Sequence, residues 1–120
     1  MILSRRSSYS GKLAQYRQWV QQLLATHNQF KPSYGDLEQF VILDTQNDHY
    51  QLGTVGWDGD RRIFSCLIHI DIKGDKIWIQ HDGTEAGVAN ELVELGVAKQ
   101  SIVIGFHDPN ARKHTEFATG

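Results

Sequence analysis

The tight turn Gly74-Asp75 constrains the fold of this chain more than any other feature, because it lies between two strongly β-prone runs. A two-residue loop fixes the register of an antiparallel hairpin, and here it places Ile72 opposite Ile77. Side chains alternate between the two faces of a strand, so the register also assigns each residue to a face. We predict that the apolar face is buried and contains Phe64, Cys66, Ile68, Ile70, Ile72, Ile77 and Ile79.

The opposite face of this hairpin mixes a large aromatic residue with polar groups: Leu67, His69, Asp71, Trp78 and Gln80. Such a face is typical of a surface that binds a partner or packs against a second element. Tryptophan is favoured at protein interfaces because it buries a large area and keeps a polar group. We therefore predict a partner-binding surface that contains Trp57, Leu67, His69, Trp78 and Gln80.

The rest of the chain predicts an α+β fold. Apolar residues recur at helical spacing from Lys12 until turn-forming residues begin at Asn28. A second helix, ending at Gly96, follows Asp82 and Glu85, whose spacing is that of a variant capping box, and Thr84 is an alternative cap. We predict an N-terminal helix, a four-stranded antiparallel meander, this second helix and a further C-terminal strand, with the helices covering the isoleucine face. The predicted strands are Gln39–Thr45, His49–Trp57, Arg61–Ile72, Lys76–Gln80 and Ser101–Phe106.

Length and composition indicate one ordinary globular domain. The chain has 120 residues, of which 40% are hydrophobic and 22% are charged, and its single cysteine excludes an internal disulfide. We predict a flexible N-terminal arm over residues 1–11 and a single domain over residues 12–120. With neither a signal peptide nor an apolar run long enough to span a membrane, the expected location is the cytoplasm.

The charge balance argues against direct DNA binding as the main role. The chain has 12 lysine and arginine residues against 14 acidic residues, a formal charge of −2, whereas affinity for nucleic acid depends on clustered positive charge. An alternative in which the chain does bind DNA directly would use Arg5, Arg6, Arg61 and Arg62. Asp58 lies close to the second of these arginine pairs, which favours a local ion pair.

A metal-dependent nuclease or nucleotide-processing enzyme is a further alternative, with the candidate residues His69, Asp71, His81 and Asp82. Imidazole and carboxylate groups suit zinc or manganese, but they must converge on one point. The hairpin register places His69 opposite Gln80. His81 then lies opposite Ile68, so the two histidines point to opposite faces of the sheet unless the strand bends at its end.

The sequence also contains a D-x-K fragment, Asp71-Ile72-Lys73, of the kind found in restriction endonucleases, for which Asp58 would supply a second acid. The fragment lies at a hairpin tip, where charged residues keep a turn solvated. We assign no catalytic residue, no metal ligand and no cofactor from these patterns, and we favour a non-enzymatic protein.

Several stretches resemble one known family: LAQYRQWVQQLL, KPSYGD, DTQNDHYQL, VGWDGDRRI, IVIGFH, TEFA and, above all, HIDIKGDKIWIQHDGTEAGVANELVELGV from His69 to Val97. They are similar to the XisI-like family, whose members are named as controlling factors for excision of the fdxN DNA element in filamentous cyanobacteria. The resemblance runs from about Leu13 to Ala118, and the string after His69 is highly specific.

The resemblance implies a role in DNA rearrangement without a catalysed reaction. It implies a regulatory or accessory protein that controls site-specific excision of a DNA element through contact with an XisH-like partner protein. Independently of the resemblance, we expect the chain to form homo-oligomers, as a dimer or a larger assembly. The family supplies no established catalytic or ligand residue that can be carried over to this sequence.

Overall fold

A computed structural model describes residues 2–30 and 32–120, with side chains described from residue 11 onward. Its helices and strands confirm the predicted α+β class and the predicted order of elements as far as the C-terminal strand, and a short helix after that strand was not predicted. They are α1 (Ile2–His27), β1 (Asp36–Asp44), β2 (His49–Asp58), β3 (Arg61–Lys73), β4 (Lys76–Asp82), α2 (Val88–Leu95), a 3-10 turn (Lys99–Ser101), β5 (Ile102–Ile104) and α3 (Pro109–Arg112).

The strands form one five-stranded sheet in the order β1-β2-β3-β4-β5. The first four strands are an antiparallel meander, as predicted, and β5 adds to β4 in parallel. Parallel neighbours need a crossover connection, which α2 supplies here. Ala118 continues the sheet beyond β5, because its backbone N–H donates to the carbonyl of Ile102 at 2.8 Å.

The core lies between one face of the sheet and the helices α1 and α2. The isoleucine face of the β3–β4 hairpin is buried there, as the turn register predicts. Each such side chain contributes about 1.5–3 kcal/mol when it is fully removed from water. The most deeply buried aliphatic residues are Val20, Leu24, Leu52, Ile68, Ile70, Ile77, Ile79, Val88, Leu92, Ile102 and Val103.

A β-bulge in β3 overturns part of the predicted buried face. Leu52 of β2 pairs with Ile68, but the next residue of β2 pairs with Cys66, which leaves Leu67 as an extra residue. Beyond one extra residue, each side chain of the strand points to the sheet face opposite the one that regular alternation predicts. Phe64 and Cys66, predicted to be buried, are therefore exposed, and the Phe64 side chain is 76% exposed.

A second irregularity lies between β3 and β4. The register follows the prediction from the turn as far as the pair Ile70 and Ile79. Beyond that point it shifts, and His69 pairs with His81 where we predicted Gln80. Direct partners in an antiparallel pair lie on the same face. The prediction that His69 and His81 point to opposite faces is therefore wrong.

Helix α1 begins at Ile2, earlier than the predicted start at Lys12. Extending an existing helix adds one hydrogen bond for each residue ordered, so helix can extend beyond the apolar periodicity that reveals it in sequence. Residue 1 lies outside the described residues, as do the side chains of Arg5 and Arg6, and the division into an arm and a domain stays a prediction. None of the described helices combines the length and apolar composition that a membrane span needs.

Candidate functional site

The sheet face opposite α1 and α2, which we call the outer face, carries a network of five polar side chains. Strands β2, β3 and β4 all contribute to it. Residues two apart on a strand point to the same face, which brings these side chains together on the outer face. The five residues of this polar network are His49, Gln51, His69, Asp71 and Gln80.

Asp71 is the centre of the polar network. Its Oδ1 accepts a hydrogen bond from Nδ1 of His49 at 2.7 Å and another from Nε2 of His69 at 2.8 Å. His49 is the direct cross-strand partner of Asp71, and His69 precedes it by two residues on β3. The Asp71 side chain is only 11% exposed, whereas that of His49 is 55% exposed. The carboxylate therefore lies beneath two imidazole rings, one of which faces solvent.

Two glutamines complete the network. Gln80 on β4 donates to the second carboxylate oxygen, Oδ2 of Asp71, at 3.2 Å. Gln51 on β2 donates to Nδ1 of His69 at 3.3 Å. An imidazole that accepts at Nδ1 carries its proton on Nε2, the atom that His69 directs at Asp71. Gln51 and Gln80 therefore orient the groups that meet at the centre.

The polar network favours an ionised carboxylate. Burial alone would raise the pKa of Asp71, but the hydrogen bonds from His49 and His69 outweigh it and lower this pKa below its ordinary value. The same hydrogen bond raises the pKa of His49, because the carboxylate stabilises the protonated ring. An ionised carboxylate beside two imidazole rings can bind a proton or another cation. One potential ligand atom from each of Asp71, His49 and His69 lies within 4.8 Å of the other two.

The residues predicted to bind a partner fall in different places. His69 and Gln80 belong to the polar network, whereas Leu67, the bulge residue, packs against the core on the helix side. Trp78 lies on the outer face between two cations, with Nζ of Lys73 at 4.2 Å and the guanidinium carbon of Arg112 at 5.2 Å from its ring centre. The predicted surface is therefore not one continuous patch.

Trp57 belongs to a separate apolar area at the β1–β3 end of the outer face, which we call the aromatic patch. Phe40 and Phe64 stack there with their ring centres 6.2 Å apart. Trp57 and Ile42 are each 49% exposed, and the guanidinium of Arg62 lies 5.2 Å from the Trp57 ring centre. The aromatic patch consists of Phe40, Ile42, Trp57 and Phe64. Phe64 was predicted to lie on the buried face, because that prediction did not include the bulge at Leu67.

The metal set proposed from the sequence is not brought together. His69 and Asp71 lie in the polar network, but His81 is exposed on β4 and does not belong to the three-residue cluster. Asp82 instead accepts hydrogen bonds from the backbone N–H of Val88 at 2.7 Å and of Thr84 at 2.9 Å. Its carboxylate therefore supports the start of α2.

Two residues of the polar network, His49 and Gln51, were not predicted from the sequence, and for His49 the cause lies in the strand register. The turn after Asp58 pairs Trp57 with Arg62, and a regular continuation of that register would pair His49 with Ile70. The bulge moves the register by one residue, so His49 pairs with Asp71. A periodic pattern carries no signal for this shift.

The residues of the D-x-K alternative do not converge, and of the DNA-binding alternative only Arg61 and Arg62 have described side chains. Asp71 is bound by histidines, and Lys73 lies over the Trp78 ring, so the D-x-K fragment does not present an acid and a lysine to one point. Asp58 accepts a hydrogen bond from Arg61 at 3.2 Å, the local ion pair that we predicted.

Comparisons with known proteins identify related chains. The family model described as "XisI protein" matches residues 11–119. The crystal structure of a XisI-like protein from Anabaena variabilis is 41% identical, with a TM-score of 0.85, and the match covers 90% of this chain and 99% of that one. The structure of the fdxN element excision controlling factor XisI from the same organism is 32% identical, with a TM-score of 0.80, and the match covers 91% and 99%. No curated protein matches the chain.

Proposed function

Since this chain belongs to the XisI family, we propose that it helps to control the excision of a DNA element by binding a protein of the excision machinery. The relative that is 32% identical is named as an excision controlling factor, which supports this role. The proposed partner is an XisH-like protein, as the family resemblance implies. The chain itself acts without catalysing the DNA cleavage.

The observation that carries this proposal is the aromatic patch. Phe64 is 76% exposed and Trp57 is 49% exposed, and both lie on the sheet face opposite the helices. Aromatic side chains are enriched at the centres of protein interfaces, and clustered apolar groups are costly to leave in water. A protein partner that covers Trp57 and Phe64 removes this cost.

The charges around the patch favour protein over DNA. Asp36 and Glu38 line the same surface depression as Trp57 and Arg62, and these carboxylates repel phosphate groups. Arg61 is paired with Asp58. The formal charge of −2 gives no general attraction to a polyanion. Contact with DNA is therefore assigned to the other proteins of the machinery.

Co-purification with an XisH-like partner tests the proposal. We expect wild-type protein to bind, and Phe64→Ala to weaken binding at least tenfold, because anchors of this kind dominate interface energies. Phe106→Ala is the matched control, since Phe106 is also half-exposed but follows β5 at the opposite edge of the sheet. Isothermal titration calorimetry measures the affinities, and light scattering gives the mass of each protein alone and of the mixture.

Two results would contradict the proposal. One is the absence of a complex at micromolar concentrations of both wild-type proteins. The other is equal binding by Phe64→Ala and Phe106→Ala, which would remove the aromatic patch from the interface. If the mass of the chain alone is that of a dimer and Phe64→Ala makes it monomeric, the patch instead joins two copies of this chain.

A further inference from the structure

The centre of the polar network has the composition of a metal-binding site. We propose that His49, His69 and Asp71 bind one divalent first-row transition-metal ion, of which zinc is the representative. This site differs from the set suggested by the sequence, because His49 takes part and His81 and Asp82 do not. The inference does not depend on the proposed function.

The distances suit a compact coordination shell. In tetrahedral zinc sites the ligand atoms lie about 2.0–2.2 Å from the metal, which places them about 3.3–3.6 Å from each other. Here Oδ1 of Asp71 lies 2.7 Å from Nδ1 of His49 and 2.8 Å from Nε2 of His69. The three ligand atoms already meet within 4.8 Å. Small rotations of the side chains are enough to admit an ion between them.

The strands hold these groups in place. His49 and Asp71 are direct partners on β2 and β3, and His69 is two residues from Asp71 on the same strand. The two imidazole rings stand edge to face, with an angle of 88° between their planes and 6.5 Å between their centres. Sites built on strands are held more rigidly than sites on loops. The backbone therefore needs no rearrangement to bind an ion.

The two glutamines supply the outer contacts that metal ligands usually have. Gln80 binds Oδ2 of Asp71 and leaves Oδ1 for the metal. Gln51 contacts Nδ1 of His69, so Nε2 of that ring is directed to the centre. When Nε2 binds a metal, the ring proton moves to Nδ1, and a half-turn of the Gln51 amide presents its oxygen to accept it. Gln51 and Gln80 are therefore positioning residues.

The ligand chemistry selects the class of ion. Two imidazoles and one carboxylate suit zinc and its first-row neighbours, whereas magnesium and calcium prefer shells made of oxygen. One carboxylate leaves the bound ion with a net charge of +1. The His49 side chain is 55% exposed, so the ion reaches the site from the outer face and keeps a position for water.

Zinc titration of the full-length chain after removal of metals by a chelator tests the inference. We expect one zinc ion per chain by calorimetry, and visible absorption bands of low-symmetry cobalt when Co²⁺ is used as the probe. His49→Ala and His69→Gln should each lower zinc affinity at least tenfold. His81→Ala is the matched control, because His81 lies opposite His69 on β4 yet is outside the cluster. The His81→Ala change should leave the zinc affinity within twofold of the wild-type value.

His49 is mostly exposed, so its replacement leaves no core cavity, and circular dichroism with a thermal melt confirms that each variant is folded. The inference is overturned if wild-type protein shows no saturable zinc binding, or if His81→Ala lowers affinity as much as His49→Ala. It is also overturned if millimolar magnesium displaces the zinc. Loss of zinc binding in His49→Ala with unchanged binding to the XisH-like partner supports the metal site and leaves the proposed function standing.

Discussion

Arg17 of α1 binds the carboxylate of Asp48 in the β1–β2 turn through two hydrogen bonds, from Nε to Oδ1 at 2.8 Å and from Nη2 to Oδ2 at 3.1 Å. The Tyr50 hydroxyl also donates to Asp48, at 2.8 Å. Asp48 has a φ of 60°, a left-handed conformation that a non-glycine residue rarely adopts. These contacts hold the turn in place and attach it to α1 on the helix side of the sheet.

We expect Asp48→Asn to destabilise the protein by about 1–3 kcal/mol, because the guanidinium and the Tyr50 hydroxyl lose a charged partner. Asparagine tolerates the left-handed conformation, so the change isolates the ion pair from the backbone. Urea denaturation measures the effect. Lys12→Met is the control, because the Lys12–Asp75 pair is 3.9 Å apart and exposed, and its removal should change stability by less than about 1 kcal/mol. Equal effects of the two changes would contradict this account.

The Arg17–Asp48 pair should also make stability depend on pH. The hydrogen bond from Arg17 lowers the pKa of Asp48 below its ordinary value of 3.8. A group whose pKa is lower in the folded state stabilises the fold fully above the unfolded pKa and loses this effect as pH falls through the folded pKa. The difference in unfolding free energy between wild type and Asp48→Asn should therefore be constant near neutral pH and shrink below about pH 3.8. A difference that grows on acidification would contradict the assignment.

Gly56 on β2 has a φ of 149°, and a Cβ at this position would overlap the carbonyl oxygen of Asp36 on β1. We expect Gly56→Ala to destabilise the protein by about 1–3 kcal/mol, because backbone on both strands must move. Gly11→Ala is the matched control. A Cβ on Gly11 meets nothing within 4 Å, and alanine in a helix should be more stable by about 0.5–1 kcal/mol. Thermal melts compare the two, and opposite signs are the expected result.

Asp82 stabilises the start of α2 through its own carboxylate, and Glu85 takes no part in the described hydrogen bonds. The Asp82 side chain accepts from the backbone of Val88 and from both the backbone and the hydroxyl of Thr84. The predicted capping box between Asp82 and Glu85 is therefore wrong. Asp82→Ala should cost about 1–2 kcal/mol, by analogy with other helix caps.

Glu85→Ala serves as the control for this change, because Glu85 is exposed. It should alter the unfolding free energy by less than about 0.5 kcal/mol. Chemical denaturation followed by tryptophan fluorescence measures both variants. A larger loss for Glu85→Ala than for Asp82→Ala would restore the capping box.

Much of the fold follows from local patterns in the sequence. The Gly74-Asp75 turn determines the pairing of Ile72 with Ile77, because a two-residue loop permits few alternatives. The second helix ends at Gly96, which has a φ of 121°, as glycine at a helix end predicts. Each of these signals lies within a few residues of the feature that it determines.

The candidate site was predicted less well. His69 and Gln80 were identified from polarity on one face of the hairpin, but Leu67 was assigned to the wrong face and His49 was overlooked. Both errors come from the bulge at Leu67, which removes that side chain from the outer face and places His49 opposite Asp71. The hydrophobic alternation stays regular on both sides of an inserted residue, so periodicity does not reveal the insertion.

Local patterns predict most of the elements, the antiparallel meander and the buried isoleucines, because helix and strand periodicity and turn chemistry depend on neighbouring residues. Which polar side chains meet depends instead on how the strands pair in three dimensions. The sheet contains two register shifts, one between β2 and β3 and one between β3 and β4, and each changes the cross-strand alignment by a single position. The shift at Leu67 exposes Phe64 and creates the contact between His49 and Asp71, because a contact across strands depends on register as well as on composition.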